Sequence, residues 1–497
     1  MKLCTDMNES WLSDESRLKG RADWVATPSS PLEMAKEIKE AHERGLSVSI
    51  QGARTGLAGG SVPFGGLALS TGRMNAILGL EAGNASFFLK AQSGIPLKDA
   101  KQFLMRPCGL GKNLQVLEAV RENHMGFAPN PSEKTATLGG LFASGARGLN
   151  SISCGSMSDN VSGVTWILPD GRQISAVRGE HVFGADGLKL PNGLSIPRVN
   201  GKDPLFSQFP APGMDLIDFL AGSEGRLGVA AEITLRLQKI PDITWSAAYF
   251  FPSSDEALAF AAELRRWRGM LHACEIMDEA AVRILDEGRL RLPSLAALPP
   301  FPNAAAVYAE IAGDDSDALE EALFEQLELF SRMGGREEDT WAGSAPNEIE
   351  KFQSLHHSLM ELGNTLSVSG GTGEAQVCRI SSDNFYGSAS VEKAWKICRL
   401  NLKESGIKGF VHGSVLDGRF SVCLLPTLNQ LSGAEEFRII LARFALESGG
   451  AACSDYGVGK VNRKLAKNFL RPEMEECFKP FDKGRRMSNS FFLEAPE

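Results

Sequence analysis

Three glycine-dense segments constrain this chain more than anything else in it: GARTGLAGG at 52–60, TATLGGLFASGARGLNSISCGS at 135–156 and GSEGRLG at 222–228. Glycine weakens helices and strands, so its concentration between apolar runs needs a reason. A flexible linker would be Ser-rich and polar, whereas residues 50–70, which contain the first segment, carry Ala, Leu, Val, Pro and Phe around their glycines. Two readings remain at this level: plain turns, or a loop whose successive backbone N–H groups form a concavity for an anion.

The rest of the chain reads as folded α+β protein. PLEMAKEIKEAHERG (31–45) has helical periodicity and a glycine stop, and the strand LSVSIQ follows it. VSGVTWILPDGRQISAV predicts a hairpin turning at Pro169-Asp170-Gly171. Residues 178–214 are Gly/Pro-rich and aperiodic, which suggests an excursion loop or lid. Beyond 240 strands alternate with helices without a dinucleotide loop, predicting an open sheet covered by helices on one face. The resulting division is an N-terminal extension (1–21), a first domain (22–240), a second domain (241–449) and a C-terminal segment (450–497) returning to the first.

Composition excludes several classes. A formal charge of −9 does not suit a phosphate-neutralising surface, so no nucleic-acid partner is expected. No transmembrane run is visible, and the acidic start MKLCTDMNESWLSDES lacks an apolar signal core, so the expected location is cytoplasmic, peripheral to a membrane at most. Nine cysteines are never closer than twenty positions, which excludes CxxC metal sites and an internal iron–sulfur relay. GxGxxG after a strand, GxxxxGK[ST], HExxH and GxSxG are all missing.

GARTGLAGG, then PNPSEKTATLGGLFASGARG (129–148), then GSEGRLG, in this order, resemble the FAD-binding domain of the vanillyl-alcohol oxidase (PCMH-type) superfamily, in particular its D-lactate dehydrogenase and glycolate oxidase D-subunit branch. The resemblance implies FAD as cofactor and a two-part FAD-binding domain beside an α+β cap domain with an antiparallel sheet covered by helices. It implies cofactor contacts from Gly52, Ala53, Arg54, Thr55, Gly56, Gly59 and Gly60, then from Pro129, Thr137, Leu138, Gly139, Ser144 and Gly145. In the third segment it points to Glu224, Gly228 and Val229 at the nucleotide end. His124 and His181 lie outside the matched loops, so covalent attachment of the flavin is not expected.

The same branch carries a GHxGDGNxH motif supplying metal-binding histidines and a GEHGIG motif supplying a carboxylate and a base. Here they read VHGSVLDGRFSV and CSDYGVGK: His412 survives, Ser421 stands for the second histidine, and Asp455 and Tyr456 replace Glu and His. With so few donors left, no bound metal is expected. His412, Tyr456, Asp455 and Lys460 are the candidate catalytic residues; Tyr456 is equally read as a ring packed on the flavin and Asp455 as a helix N-cap. The implied function is oxidation of an alcohol or 2-hydroxy acid by hydride transfer to flavin N5, with electrons passing to an external acceptor or partner redox protein and a homodimer left open. The alternatives are a catalytically weakened flavin-binding subunit, or a non-redox flavoenzyme like alkyl-glycerone-phosphate synthase.

Overall fold

In the computed structural model, the described residues are all except 5–8, 84–85, 106–113, 200–209, 370–375, 470–471, 485 and 489–497. They form two units: Met1–Gly148 with Gly155–Ile240 and Ser454–Glu497, and Leu149–Cys154 with Pro241–Cys453. The second unit is thus an insertion in the first, and a six-residue piece of the N-terminal half belongs to it.

The first unit holds two main sheets. In one, Trp24–Ala26 and Val48–Gln51 flank Leu67–Ser70 as parallel neighbours, with Lys2–Leu3 antiparallel at the edge. The helix Pro31–Glu43 covers this sheet with Met34, Ile38 and Ala41. Ser30 caps its first turn and proline occupies that turn, as the sequence pattern requires. The other sheet is antiparallel, in the order Ile77–Gly83, Ser86–Gln92, Val229–Arg236, Val161–Ile167, Gln173–Val177. The expected hairpin is present: Thr165 pairs with Ser175, Leu168 N donates to the Arg172 carbonyl, and Gly171 takes φ +82°. Of residues 178–214, 200–209 lie outside the described residues, and the others are not simply a lid. Gly187–Lys189 and Ser195–Pro197 form a second hairpin whose Leu188, Leu194 and Ile196 are buried in the main core.

The second unit is built on one eight-stranded antiparallel sheet, ordered Trp341–Gly343, Ile243–Phe251, Ala305–Gly313, Leu271–Met277, Gly409–Gly413, Arg419–Leu424, Ile380–Phe385, Ala451–Ala452. Helices cover both faces rather than the expected one. The two-residue alternation shows why: Tyr249 and Phe251 pack with Phe260, Phe330 and Trp395, while Ala248 and Phe250 pack with Phe352, Leu355 and Leu359. The last three lie on the long helix Pro346–Ser369. It lies close to the sheet because Gly363 has no side chain: a Cβ there would lie 3.1 Å from Cys423 Sγ.

Candidate functional site

In the first unit the glycine segments converge. A Cβ on Gly52 would lie 2.4 Å from Thr137 Oγ1, so the first loop packs directly on the cap of the short helix Leu138–Ser144. Thr137 is that helix's N-cap and accepts from Gly140 N, Leu138 is core, and Gly139 N donates to the Ser93 carbonyl. Ser144 Oγ donates to the Leu141 carbonyl, and Gly145 closes the helix at φ +62°. The third segment joins there too: Gly222 N donates to Phe142 O, and Glu224 N donates to Ala143 O. Pro129 is buried just ahead of this helix.

The glycines sort into two kinds. Gly59 (φ +72°) has Leu18 2.7 Å from where a Cβ would stand, Gly139 has Ser93 at 2.7 Å, and Gly228 (φ +130°) has the Ile167 carbonyl at 2.3 Å. These three are glycine because the protein itself leaves no room, and Val229 beside Gly228 pairs with Ile167 inside the sheet. Gly56 and Gly60 differ. A Cβ on either meets nothing within 4 Å, so each backbone faces open space. Ala53 is exposed and Thr55 half-buried on the same loop, whose Arg54 adopts φ +61°.

Glu224 also has a structural task. Its two carboxylate oxygens accept from Val458 N and Gly459 N, each at 2.8 Å, clamping the GVGK turn. Lys460 continues the clamp: its backbone N donates to Ala58 O at 2.8 Å and its Nζ to Gly60 O at 2.9 Å. Lys460 is therefore part of the glycine loop's support. Asp455 and Tyr456 are half-buried in the turn just before, and the next helix begins only at Arg463, so Asp455 is not its N-cap.

Burial pushes the Lys460 ammonium down to about 8, although Asp14 and Glu224 pull the other way. An unfolded lysine titrates at 10.5, so between about 8 and 10.5 the unfolded chain holds a proton that the folded chain has released. Stability from this group then rises with pH, and the penalty is fully present below 8. Urea unfolding at pH 7.5 and pH 10 should show Lys460→Met losing about 2 kcal/mol of that pH-dependent gain relative to wild type; equal pH dependence in both proteins would contradict it.

In the second unit the sheet face under the Pro346–Ser369 helix carries a polar group amid apolar neighbours. Glu275 lies between Ala273 and Met277 on that face, and Tyr308 is its cross-strand partner. Met277 pairs with His412, and His412 pairs with Ser421, the position of the missing motif histidine. The helix adds Gln353, His356 and His357. His356 Nδ1 lies 2.5 Å from Glu275 Oε2, and Gln353 Nε2 donates to Glu310 at 2.7 Å. One donor atom each from Glu275, His356 and His412 lies within 4.8 Å of the others. Neither His356 nor His357 is exposed.

His412 is 2% exposed, and neither ring nitrogen has a hydrogen-bond partner. Burial drives its pKa to about 4 against the pull of Glu275. That departs from a base near 6.5, since so weak a base has little drive to take a hydroxyl proton. Burial acts to raise the Glu275 pKa, but His356, His412 and His357 outweigh it and hold the carboxyl below its ordinary value. Arg379 adds positive charge felt by His412; its Nη1 donates to Asn364 Oδ1 at 2.6 Å while its buried Nε has no hydrogen-bond partner. Asp417, expected near the metal motif, instead accepts from Ser151 and ties down the 149–154 piece.

Two family models match this chain: "FAD binding domain" over residues 22–176, and "FAD linked oxidases, C-terminal domain" over 240–479. A D-lactate dehydrogenase of Archaeoglobus fulgidus is 25% identical over 457 residues, 91% of this chain and 85% of that protein. The chain belongs to the FAD-linked oxidoreductases of the D-lactate dehydrogenase branch. A D-lactate dehydrogenase of Anaerostipes hadrus is 27% identical over 334 residues, and the match spans 66% of this chain and 60% of that relative's length. Mitochondrial D-2-hydroxyglutarate dehydrogenase of Bos taurus is 25% identical over 71% of this chain and 56% of its own. A solved alkyldihydroxyacetonephosphate synthase shares the fold, with TM-score 0.59 and 14% identity over 95% of this chain and 76% of its own.

FAD is the cofactor of this flavoprotein. The residues present leave room for it: a Cβ on Gly56 or Gly60 would meet nothing within 4 Å, on a loop held by Lys460 and the Glu224 clamp. Among the described residues, no helix is long and apolar enough to cross a membrane.

Proposed function

We propose that this flavoenzyme oxidises a 2-hydroxy acid and passes the electrons to an external acceptor. The observation carrying this reading is the Glu275–His356–His412 group under the long helix of the second unit, with Arg379 beside it. A 2-hydroxy acid needs a cation for its carboxylate and polar groups that draw the proton from its hydroxyl. Arg379 offers the first, and His356, oriented by its hydrogen bond to Glu275, the second. FAD supplies the hydride acceptor, flavin N5. Gly56 and Gly60 let the loop backbone approach the cofactor, Lys460 and Glu224 fix that loop, and Tyr456 stands just ahead of the clamped turn. The dispersed cysteines provide no cluster pattern for onward transfer, so electrons leave to a separate acceptor.

The test is anaerobic bleaching of the bound flavin by a panel of 2-hydroxy acids that includes D-lactate and D-2-hydroxyglutarate. Reduction by at least one member is expected, with slow reoxidation by oxygen and faster reoxidation by an artificial acceptor. If no 2-hydroxy acid or simple alcohol bleaches the flavin, a non-catalytic flavin-binding subunit becomes the better reading. Arg379→Met should raise the substrate concentration for half-maximal reduction by roughly 10- to 100-fold, the loss of one charged hydrogen-bonding partner, with FAD content unchanged. An unchanged half-saturation would remove Arg379 from the substrate's carboxylate.

A further inference from the structure

We propose that residues 9–20 are a strap that holds the first glycine loop in the shape that receives FAD, with Asp14 as its main positioning residue. The proposal rests on FAD meeting that loop. It gives a task to a stretch outside the FAD-binding domain match, which begins only at residue 22.

The loop cannot hold its own shape. Among the described residues, no backbone hydrogen bond joins two members of 52–60, and four of these nine residues are glycine, the residue that loses most freedom on ordering. Its backbone groups must therefore be met from outside. Two elements of the first unit do this, and their attachments interleave. From the turn at 457–461, Lys460 N and Val461 N donate to Ala58 O, and Lys460 Nζ donates to Gly60 O.

The strap takes the positions around these. Trp11 O accepts from Gln51 Nε2 at 2.7 Å, and Glu15 N donates to Arg54 O at 3.3 Å. The Arg54 guanidinium lies 5.8 Å from the centroid of the Trp11 ring, within cation–π reach. Leu18 Cδ1 and Ser16 Oγ stand 2.7 and 3.3 Å from where a Cβ on Gly59 would be. Asp14 then ties the strap to the end of the loop: one carboxylate oxygen accepts from Ser61 Oγ at 3.0 Å, and the other from Ser16 N at 3.0 Å. Its charge also favours the protonated Lys460 side chain, so one carboxylate serves both supports. None of residues 9–20 is buried, so the strap can lift without opening the core.

A loop ordered in advance spends less of the cofactor's binding energy on ordering. The coupling is reciprocal: a docked strap that favours FAD must itself be favoured by FAD, by the same factor.

The experiment uses the full-length protein with and without FAD. Arg17 and Lys19 are exposed on the strap, and trypsin cleavage after them follows the population of the lifted form. FAD should slow that cleavage on the order of 10-fold. Asp14→Ala should raise the FAD dissociation constant by about 10-fold, the loss of one charged hydrogen-bond acceptor. Asp14→Glu, which keeps charge and acceptors, should recover most of it, with the unfolding midpoint of both apoproteins near wild type. Equal cleavage with and without FAD overturns the proposal, and so does wild-type FAD affinity in Asp14→Ala. A fall in the apoprotein midpoint large enough to explain the lost FAD also overturns it, making Asp14 an ordinary structural residue. If these tests fail while the Gly56→Val, Gly60→Val double variant still loses FAD, the loop's role stands and the strap alone is wrong.

Discussion

Replacing Gly56 and Gly60 together with Val should yield a folded, colourless protein. A Cβ at either position meets no protein atom within 4 Å, and neither residue has a positive φ, so the apoprotein has no steric objection to the change. The objection comes from the cofactor, whose approach to the loop backbone the new side chains would occupy. Absorbance of released flavin should fall to background while the unfolding midpoint of the apoprotein stays near wild type. Gly59→Ala is the contrasting control. There φ is +72° and Leu18 stands 2.7 Å from the Cβ position, so the apoprotein itself should lose stability by about 1–3 kcal/mol. A double Val variant that still binds FAD normally would move the pyrophosphate away from this loop.

Glu224→Ala should be the most damaging single change in the first unit outside its core. Two backbone N–H groups, Val458 and Gly459, lose a charged acceptor at once, which costs about 3 kcal/mol or more. Glu224 already sits at φ +51°, and Ala has the same Cβ, so the backbone strain is unchanged and the loss reports the carboxylate alone. The GVGK turn carries Lys460, so FAD retention should fall with stability; Glu224→Gln, which keeps one good acceptor oxygen, should be intermediate. Equal unfolding free energies for wild type and Glu224→Ala would show the clamp to be without consequence.

What could be read from the sequence follows from how local its cause is. The hairpin turning at Pro169-Asp170-Gly171 and the capped helix at 31–43 are set by neighbouring residues, and both are visible in their letters. Gly59 and Gly60 are one letter repeated, yet one is a tight structural position and the other faces open space; only the surroundings of each Cβ distinguish them. Glu224 fits a cofactor motif, and nothing in that motif reveals partners more than 230 positions away. Glu275 and His356 are 81 residues apart and meet through sheet register and helix packing. A lone acid in the alternating run HACEIM was the one local hint, because a glutamate on a buried face needs a partner.

The return of the last segment to the first unit sets an order of events during biosynthesis. Residues up to 240 leave the ribosome with both sheets' strands and all three glycine segments, but without the turn that grips the first loop. That turn, at 457–460, emerges only after the whole inserted unit has been made. Tight capture of FAD is therefore expected only after this turn has been made, and a product stopped at the 240 boundary would carry the glycine segments without the turn that supports the first of them. Expressing 1–240 alone should give a weak flavin binder, which supplying 454–497 as a separate peptide would help restore.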